Sequence, residues 1–208
     1  DESYFYTPTP LPSATPTRAG GIYDQQVLDV AIDPSNSQIG YAIVREKGIY
    51  KTTNGGDFWT LVFAAPSARS LVIDPSNPRN LYVTTWNAVL KSTNGGETWA
   101  AFQEGLPINR LVTAIALDPG NPSIIYVGTE GGVFKSDNGG TRWYDVSGGL
   151  TAAKIYGLAV EPGNGAVVYA ASATTKIFKT ENGGSSWRQL DYYVGDATFA
   201  VAVDPTNP

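Results

Sequence analysis

Lys135–Trp143, KSDNGGTRW, recurs three more times in this chain: KTTNGGDFW (Lys51–Trp59), KSTNGGETW (Lys91–Trp99) and KTENGGSSW (Lys179–Trp187). The four lysines are 40, 44 and 44 residues apart. A fixed period of this size marks a repeat architecture built from one recurring supersecondary unit. Two apolar or aromatic residues lead into each copy (Ile49–Tyr50, Val89–Leu90, Val133–Phe134, Ile177–Phe178). Asn-Gly between strand-like runs is a strong hairpin signal, because both residues accept positive φ. The second glycine relieves the backbone as it enters the next strand, and the tryptophan supplies a large apolar plug. Asn54, Gly56 and Trp59 thus read as structural, as do Asn94, Gly96 and Trp99, Asn138, Gly140 and Trp143, and Asn182, Gly184 and Trp187. Four equivalent turns cannot all sit on one ligand.

A second landmark, an Asp-Pro turn, recurs five times, once before each hairpin and once after the last: IDPSNS (Ile32–Ser37), IDPSNP (Ile73–Pro78), LDPGNP (Leu117–Pro122), VEPGNG (Val160–Gly165) and VDPTNP (Val203–Pro208). Asp followed by Pro opens a type I turn. An apolar strand lies upstream of each, with Ala at its middle in four of five, and a strand opening with Tyr41, Tyr82, Tyr126 or Tyr169 lies downstream. Each unit is therefore four short antiparallel strands, apolar on both faces, which must be covered on both sides. Four-stranded sheets packed around an axis meet that need, and the small Ala suits innermost strands that converge. The expectation is an all-β chain, a β-propeller of four-stranded antiparallel blades. The repeats fall at about 27–63, 68–103, 112–147 and 155–191, with the start of a fifth at 198–208. The four box tryptophans are expected to be buried between neighbouring blades.

Composition narrows the chemistry. The chain has 208 residues, is 42% hydrophobic and carries a net charge of −5. With 14 Lys and Arg it lacks the basic surface that nucleic acid binding requires. It contains no Cys, His or Met, which removes thiol nucleophiles, a Ser-His-Asp triad and any His- or Cys-ligated metal. No metal and no cofactor is expected. Residues 1–22 form a separate region before the repeat domain at 23–208. Its segment 7–17, TPTPLPSATPT, can bury nothing and reads as an extended tether of a kind found outside the cytoplasm. The Tyr4-Phe5-Tyr6 cluster before it reads as the tail of an anchoring segment or as a docking peptide.

At Ser92–Trp99 the sequence resembles the Asp-box, or bacterial neuraminidase repeat, S/T-x-D/N-x-G-x-T/S-W. The resemblance covers roughly residues 27–208. Similar repeats occur in xyloglucan-cleaving glycosidases, sialidases, sortilin-type receptors and photosystem II assembly factors. All four boxes here carry Asn where Asp is commoner, and the seventh box position holds Phe58 and Arg142 in two copies. The family implies a structural box remote from the functional site. Four blades plus a fifth first strand imply a fragment of a longer propeller.

Topology separates the turns. In an up-and-down blade the 1–2 and 3–4 turns share one end, and both are stereotyped here. The 2–3 turns and inter-blade connections share the other end, and they vary from blade to blade. Binding is expected there. The candidates are Trp86, Arg45, Arg110, Glu130, Lys176, Tyr192 and Tyr193, with the arginines able to pair with Glu104 or Glu130. Glycoside hydrolysis needs two carboxylates across a bond. Glu46, Glu104, Glu130 and Asp196 could reach this face, but none lies in a glycosidase-like motif, so no catalytic residue is assigned. The expected function is a non-catalytic scaffold at the cell surface, in the periplasm or outside the cell, with a protein or glycan partner. Membrane contact is expected only through an anchor outside the sequence. A carbohydrate-active enzyme fragment and an assembly factor for a photosynthetic membrane complex are the alternatives.

Overall fold

The computed structural model describes residues 21–107, 109–150, 154–173, 176–190 and 199–204. The first-region residues 1–20, with the tether and the aromatic cluster, lie outside them, as do Tyr192, Tyr193 and Asp196. The described strands are β1 (Val27–Ile32), β2 (Gly40–Val44), β3 (Gly48–Thr52), β4 (Thr60–Ala64), β5 (Leu71–Ile73), β6 (Leu81–Thr84), β7 (Val89–Ser92) and β8 (Ala100–Phe102). They continue as β9 (Val112–Leu117), β10 (Ile125–Thr129), β11 (Gly132–Ser136), β12 (Tyr144–Asp145), β13 (Ile155–Glu161), β14 (Asn164–Ser172), β15 (Ile177–Thr180) and β16 (Arg188–Gln189). They form four sheets of four antiparallel strands, each sheet ordered as its strands occur in the chain. These are blades 1 to 4. No helix occurs among the described residues.

Hairpin register follows from the repeated sequence. The tyrosine that opens each second strand pairs with the box lysine of the third: Tyr41 with Lys51, Tyr82 with Lys91, Tyr126 with Lys135 and Tyr169 with Lys179. Second strands are buried along their whole length in blades 1 to 3. Fourth strands are largely exposed and form the outer rim. The first strands converge: Ala31, Val72 and Ala116 line one axial space. Backbone contact between β10 and β13 is so close that a Cβ on Gly128 would meet the Ile155 side chain at 2.7 Å. Residues 199–201 lie against β13 in turn, where a Cβ on Gly157 would stand 2.9 Å from the Ala200 Cα.

Each Asn-Gly-Gly turn is organised by a buried hydroxyl. In blade 2, Ser92 Oγ accepts the N–H groups of Asn94 and Gly96 at 3.3 and 2.9 Å and donates to Asn94 Oδ1 at 2.9 Å. Asn94 Oδ1 also accepts the N–H of Thr98. Thr52, Ser136 and Thr180 repeat this arrangement. The seventh box position decides a further bond. Asn94 Nδ2 donates to Thr98 Oγ1 and Asn182 Nδ2 to Ser186 Oγ, a donation that an Asp could not make.

The core lies between the blades. Trp143 (2% exposed) packs with Tyr82 and Val89 of the preceding blade and Leu106 of the connection, and Trp187 (6%) with Tyr126, Val133 and the connection's Leu150. Burial of all four tryptophans is not what is found: Trp59 and Trp99 are only half-buried. Trp99, Trp143 and Trp187 each lean on the blade before, and no blade precedes Trp59 among the described residues. Trp99 packs with Phe63 and the blade 1 cluster but has a thinner cover. In blades 3 and 4 the connection turns back over the ring. Trp143 N–H donates to Glu104 O and Trp187 N–H to Gly148 O, with Leu106 and Leu150 buried above. The connection Ala65–Ala68 has no leucine, and the Trp99 indole N–H turns to Gly96 O in its own hairpin.

Candidate functional site

The two ends of the blades carry different chemistry. At the hairpin end, each Asn-Gly-Gly turn is bonded to the 1–2 turn of its own blade or, in blade 4, to the start of β14. Gly55 N–H donates to Gln38 O, Gly95 to Arg79 O, Gly139 to Ser123 O and Gly183 to Ala166 O, all at 2.9–3.0 Å. The Asp-Pro turns are closed by their own carboxylates. Asp74 accepts from Ser76 N–H and Oγ, Asn77 N–H and Asn80 Nδ2. Burial pushes this carboxyl up, but those four bonds outweigh it and hold it below the ordinary Asp range.

The hairpin end also joins blade to blade. Tyr41 OH and Lys51 Nζ of blade 1 both donate to Gly95 O of blade 2, each at 2.9 Å. Lys91 Nζ of blade 2 donates to Gly139 O of blade 3 at 3.0 Å. Between blades 3 and 4, Tyr126 OH donates to Gly165 O, and the Lys135 ammonium lies 2.9 Å from where a Cβ on Gly183 would stand. In every blade the lysine also sits over the tyrosine ring, 5.1–5.3 Å from its centre. Burial pushes the hydroxyls of Tyr82 and Tyr126 up to about 12, with Asp74 and Asp118 adding to the shift. These groups are structural ties.

The opposite end stitches three blades together. The Thr85-Trp86-Asn87 turn is fixed by Thr85 N–H and Oγ1, both donating to Ala88 O, and by Val112 N–H donating to Thr85 O across the blade boundary. Glu130 N–H donates to Leu111 O, and Glu130 Oε1 pairs with Lys154 Nζ at 3.0 Å. That hydrogen bond holds the Lys154 ammonium above its ordinary range. The Arg110 guanidinium lies directly against Gly131, where any Cβ would collide with it. Trp86, Arg110 and Glu130 thus occupy one run of hydrogen-bonded loops from blade 2 to blade 4. Trp86 is 58% exposed, on a turn whose flanking Thr85 and Ala88 are buried.

Other candidates fall elsewhere. Arg45 donates to Gln26 Oε1 and pairs with Glu46 on blade 1, and Lys176 closes the β14–β15 turn through its carbonyl, which accepts from Ser172 N–H. The expected pairing of Glu104 with Arg45 or Arg110 is not found. Glu104 pairs with Arg142 at 3.7 Å, beside the third hairpin, because its connection folds back over Trp143. The loop-face carboxylates Glu46 and Glu130 therefore each answer a neighbouring cation.

Between the first strands, at the loop end of the axis, lies a cavity of about 260 Å³ lined in part by Asp29, Arg69, Ser70, Thr113, Tyr156 and Phe199. Asp29 Oδ2 accepts Ser70 Oγ and Leu71 N–H, tying blade 1 to blade 2. The Thr113 hydroxyl bonds to the carbonyl of Ile155, tying blade 3 to blade 4. Asp29, Ser70 and Thr113 in this cavity are thus engaged in holding the first strands together.

No protein-family model and no curated protein matches the chain. Solved structures do. An ancestral GH74 enzyme superposes with a TM-score of 0.75 at 23% identity, covering 88% of this chain and 28% of its own. The GH74 xyloglucanase from Xanthomonas campestris gives 0.67 at 18%, covering 83% and 31%. YCF48 bound to a D1 peptide gives 0.62 at 18%, covering 88% and 59%. The chain spans less than two thirds of each of these proteins. The likeness establishes the fold: four blades of a β-propeller.

Proposed function

We propose that the four units are Asp-box repeats and that the chain is a non-catalytic binding scaffold, working outside the cytoplasm through its loop face. The observation that carries this reading is Trp86, a large aromatic held out into solvent on a turn whose backbone is bonded on both sides. A pre-ordered aromatic loses little conformational freedom on binding, so its contact area is realised as affinity. Arg110 beside Gly131 and the Glu130–Lys154 pair supply polar partners on the same run of loops. The hairpin end offers no comparable variety, because its polar groups are consumed in ties within and between blades.

The fold neighbours act on a glycan or hold a peptide, and a flat aromatic serves either ligand class. Titration of the chain with xyloglucan oligosaccharides, and separately with an immobilised peptide array, tests the reading. Binding of one probe that Trp86→Ala and Arg110→Ala each weaken about tenfold, with no change in Tm, supports it. Release of reducing ends from xyloglucan would replace it with the glycosidase reading.

A further inference from the structure

Asn-Gly is the dipeptide in which asparagine most readily modifies itself, because no glycine side chain hinders attack of the next amide nitrogen on the asparagine Cγ. The chain holds five such pairs: Asn54-Gly55, Asn94-Gly95, Asn138-Gly139, Asn182-Gly183 and Asn164-Gly165. In the four boxes both reacting groups are locked. Each box glycine N–H donates to a backbone carbonyl at 2.9–3.0 Å. Each box asparagine Oδ1 accepts the preceding Ser or Thr hydroxyl and the N–H four residues on, which fixes the side chain toward the following strand.

Asn164-Gly165 is built differently. It closes the 1–2 turn of blade 4, where the other blades have Asn36-Ser37, Asn77-Pro78 and Asn121-Pro122. Proline has no N–H to lose, and a serine side chain crowds the nitrogen. The β13–β14 register jumps from Val160↔Val168 to Glu161↔Asn164, and pairing of β14 with β15 begins only at Val168. The Gly165 nitrogen therefore stands outside both ladders. The Asn164 side chain is exposed, and its Oδ1 accepts only the Ala166 N–H, at 3.3 Å. A buried carboxylate from blade 3 faces this pair. Asp118 is 6% exposed, and its Oδ1 accepts the N–H groups of Gly120 and Asn121. Its Oδ2 takes no hydrogen bond among the described residues and is packed so closely on Gly165 that a Cβ there would collide with it.

We propose that Asn164-Gly165 is a self-modification site with Asp118 as its base. Asp118 Oδ2 takes the Gly165 N–H proton, the nitrogen attacks Asn164 Cγ, and the Cγ–Nδ2 bond breaks. The proton leaves with Nδ2 as ammonia, so the carboxylate is regenerated. Water then opens the cyclic imide to aspartate or, at its other carbonyl, to isoaspartate. The isoaspartate route inserts a carbon into the main chain just ahead of the Gly165 carbonyl, which Tyr126 OH holds at 3.0 Å from blade 3. The reaction thus loosens one tie between blades and adds a negative charge to the turn.

The test ages the folded chain at neutral pH and body temperature beside a copy unfolded in guanidinium chloride. Peptide mapping by mass spectrometry, separating aspartate from isoaspartate, follows each Asn-Gly pair. Unfolded, all five react at comparable rates. Folded, Asn164 reacts at least about tenfold faster than any box asparagine, which must first break several hydrogen bonds. Asp118→Asn slows Asn164 about tenfold in the folded chain and not in the unfolded one, a modest share for a general base. Gly165→Pro, which restores the Asn-Pro of blades 2 and 3, abolishes the reaction. The aged chain melts about 2–4 °C lower, as for one lost hydrogen bond in a domain of this size, and Asn164→Gln prevents the fall. Box asparagines that react as fast as Asn164 in the folded chain overturn the proposal, as does an Asn164 that reacts more slowly folded than unfolded. A folded Asp118→Asn chain that ages at the unsubstituted rate overturns it too.

Discussion

At the scale of single residues, the box tryptophans show how one motif meets different surroundings. Trp187 Nε1 donates to Val146 O at 2.7 Å, whereas the buried Trp143 Nε1 has no partner among the described residues. A buried donor left unmade costs about 1–3 kcal/mol, and phenylalanine removes it. Trp143→Phe is therefore expected to cost less than Trp187→Phe by about 1 kcal/mol, measured by urea unfolding of the two variants. Full truncation is different: Trp143→Ala empties a packed site and is expected to cost about 3–5 kcal/mol. Trp99→Ala, half-buried, costs less. The carboxylates give a pH dependence. The Asp74 carboxyl is held below its ordinary value, so its contribution is full above a pH of about 4 and is lost as pH falls through the depressed folded value. Tm is expected to fall steeply below pH 4, and Asp74→Asn to flatten that part of the curve.

At the scale of elements, what the sequence makes legible is whatever repeats. The Asp-Pro and Asn-Gly-Gly signals place the strands and turns, and topology puts both turns at one end. The partners of the repeated residues are less legible, because they lie on the next blade. Lys51 and Tyr41 read as strand residues until the fold brings Gly95 O against them. A constant Tyr and Lys at cross-strand positions in every unit was the available signal. The connections hid another. Gly105 and Gly149, each followed by leucine, have φ of 90° and 93°, and a Cβ on either would meet the carbonyl of Trp143 or Trp187 at 2.1 or 2.6 Å. Gly149→Ala is thus expected to destabilise by more than the roughly 1 kcal/mol that strained φ costs alone. A matched Gly163→Ala, at φ 82° with open space around it, isolates the backbone share. Glu104 was misplaced for the same reason, since the return of its connection over Trp143 leaves no local mark in composition.

At the scale of the whole molecule, the blades form an arc with a building end and a variable end. The building end is consumed by ties, each worth about 1 kcal/mol and repeated at every boundary. The variable end presents Trp86, Arg110 and the Glu130–Lys154 pair on loops fixed by backbone bonds of their own. No group of three or more acidic, His or Cys side chains converges among the described residues. EDTA is accordingly expected to leave Tm unchanged, and a large fall on chelation would show calcium held by loop carboxylates. Hydrogen exchange of the chain, free and saturated with whichever probe binds, tests the division of labour most directly. Slowed exchange at 85–88, 110–112 and 130–132, with the hairpins unchanged, is the predicted result. Protection centred on Gly55, Gly95 and Gly139 would contradict it.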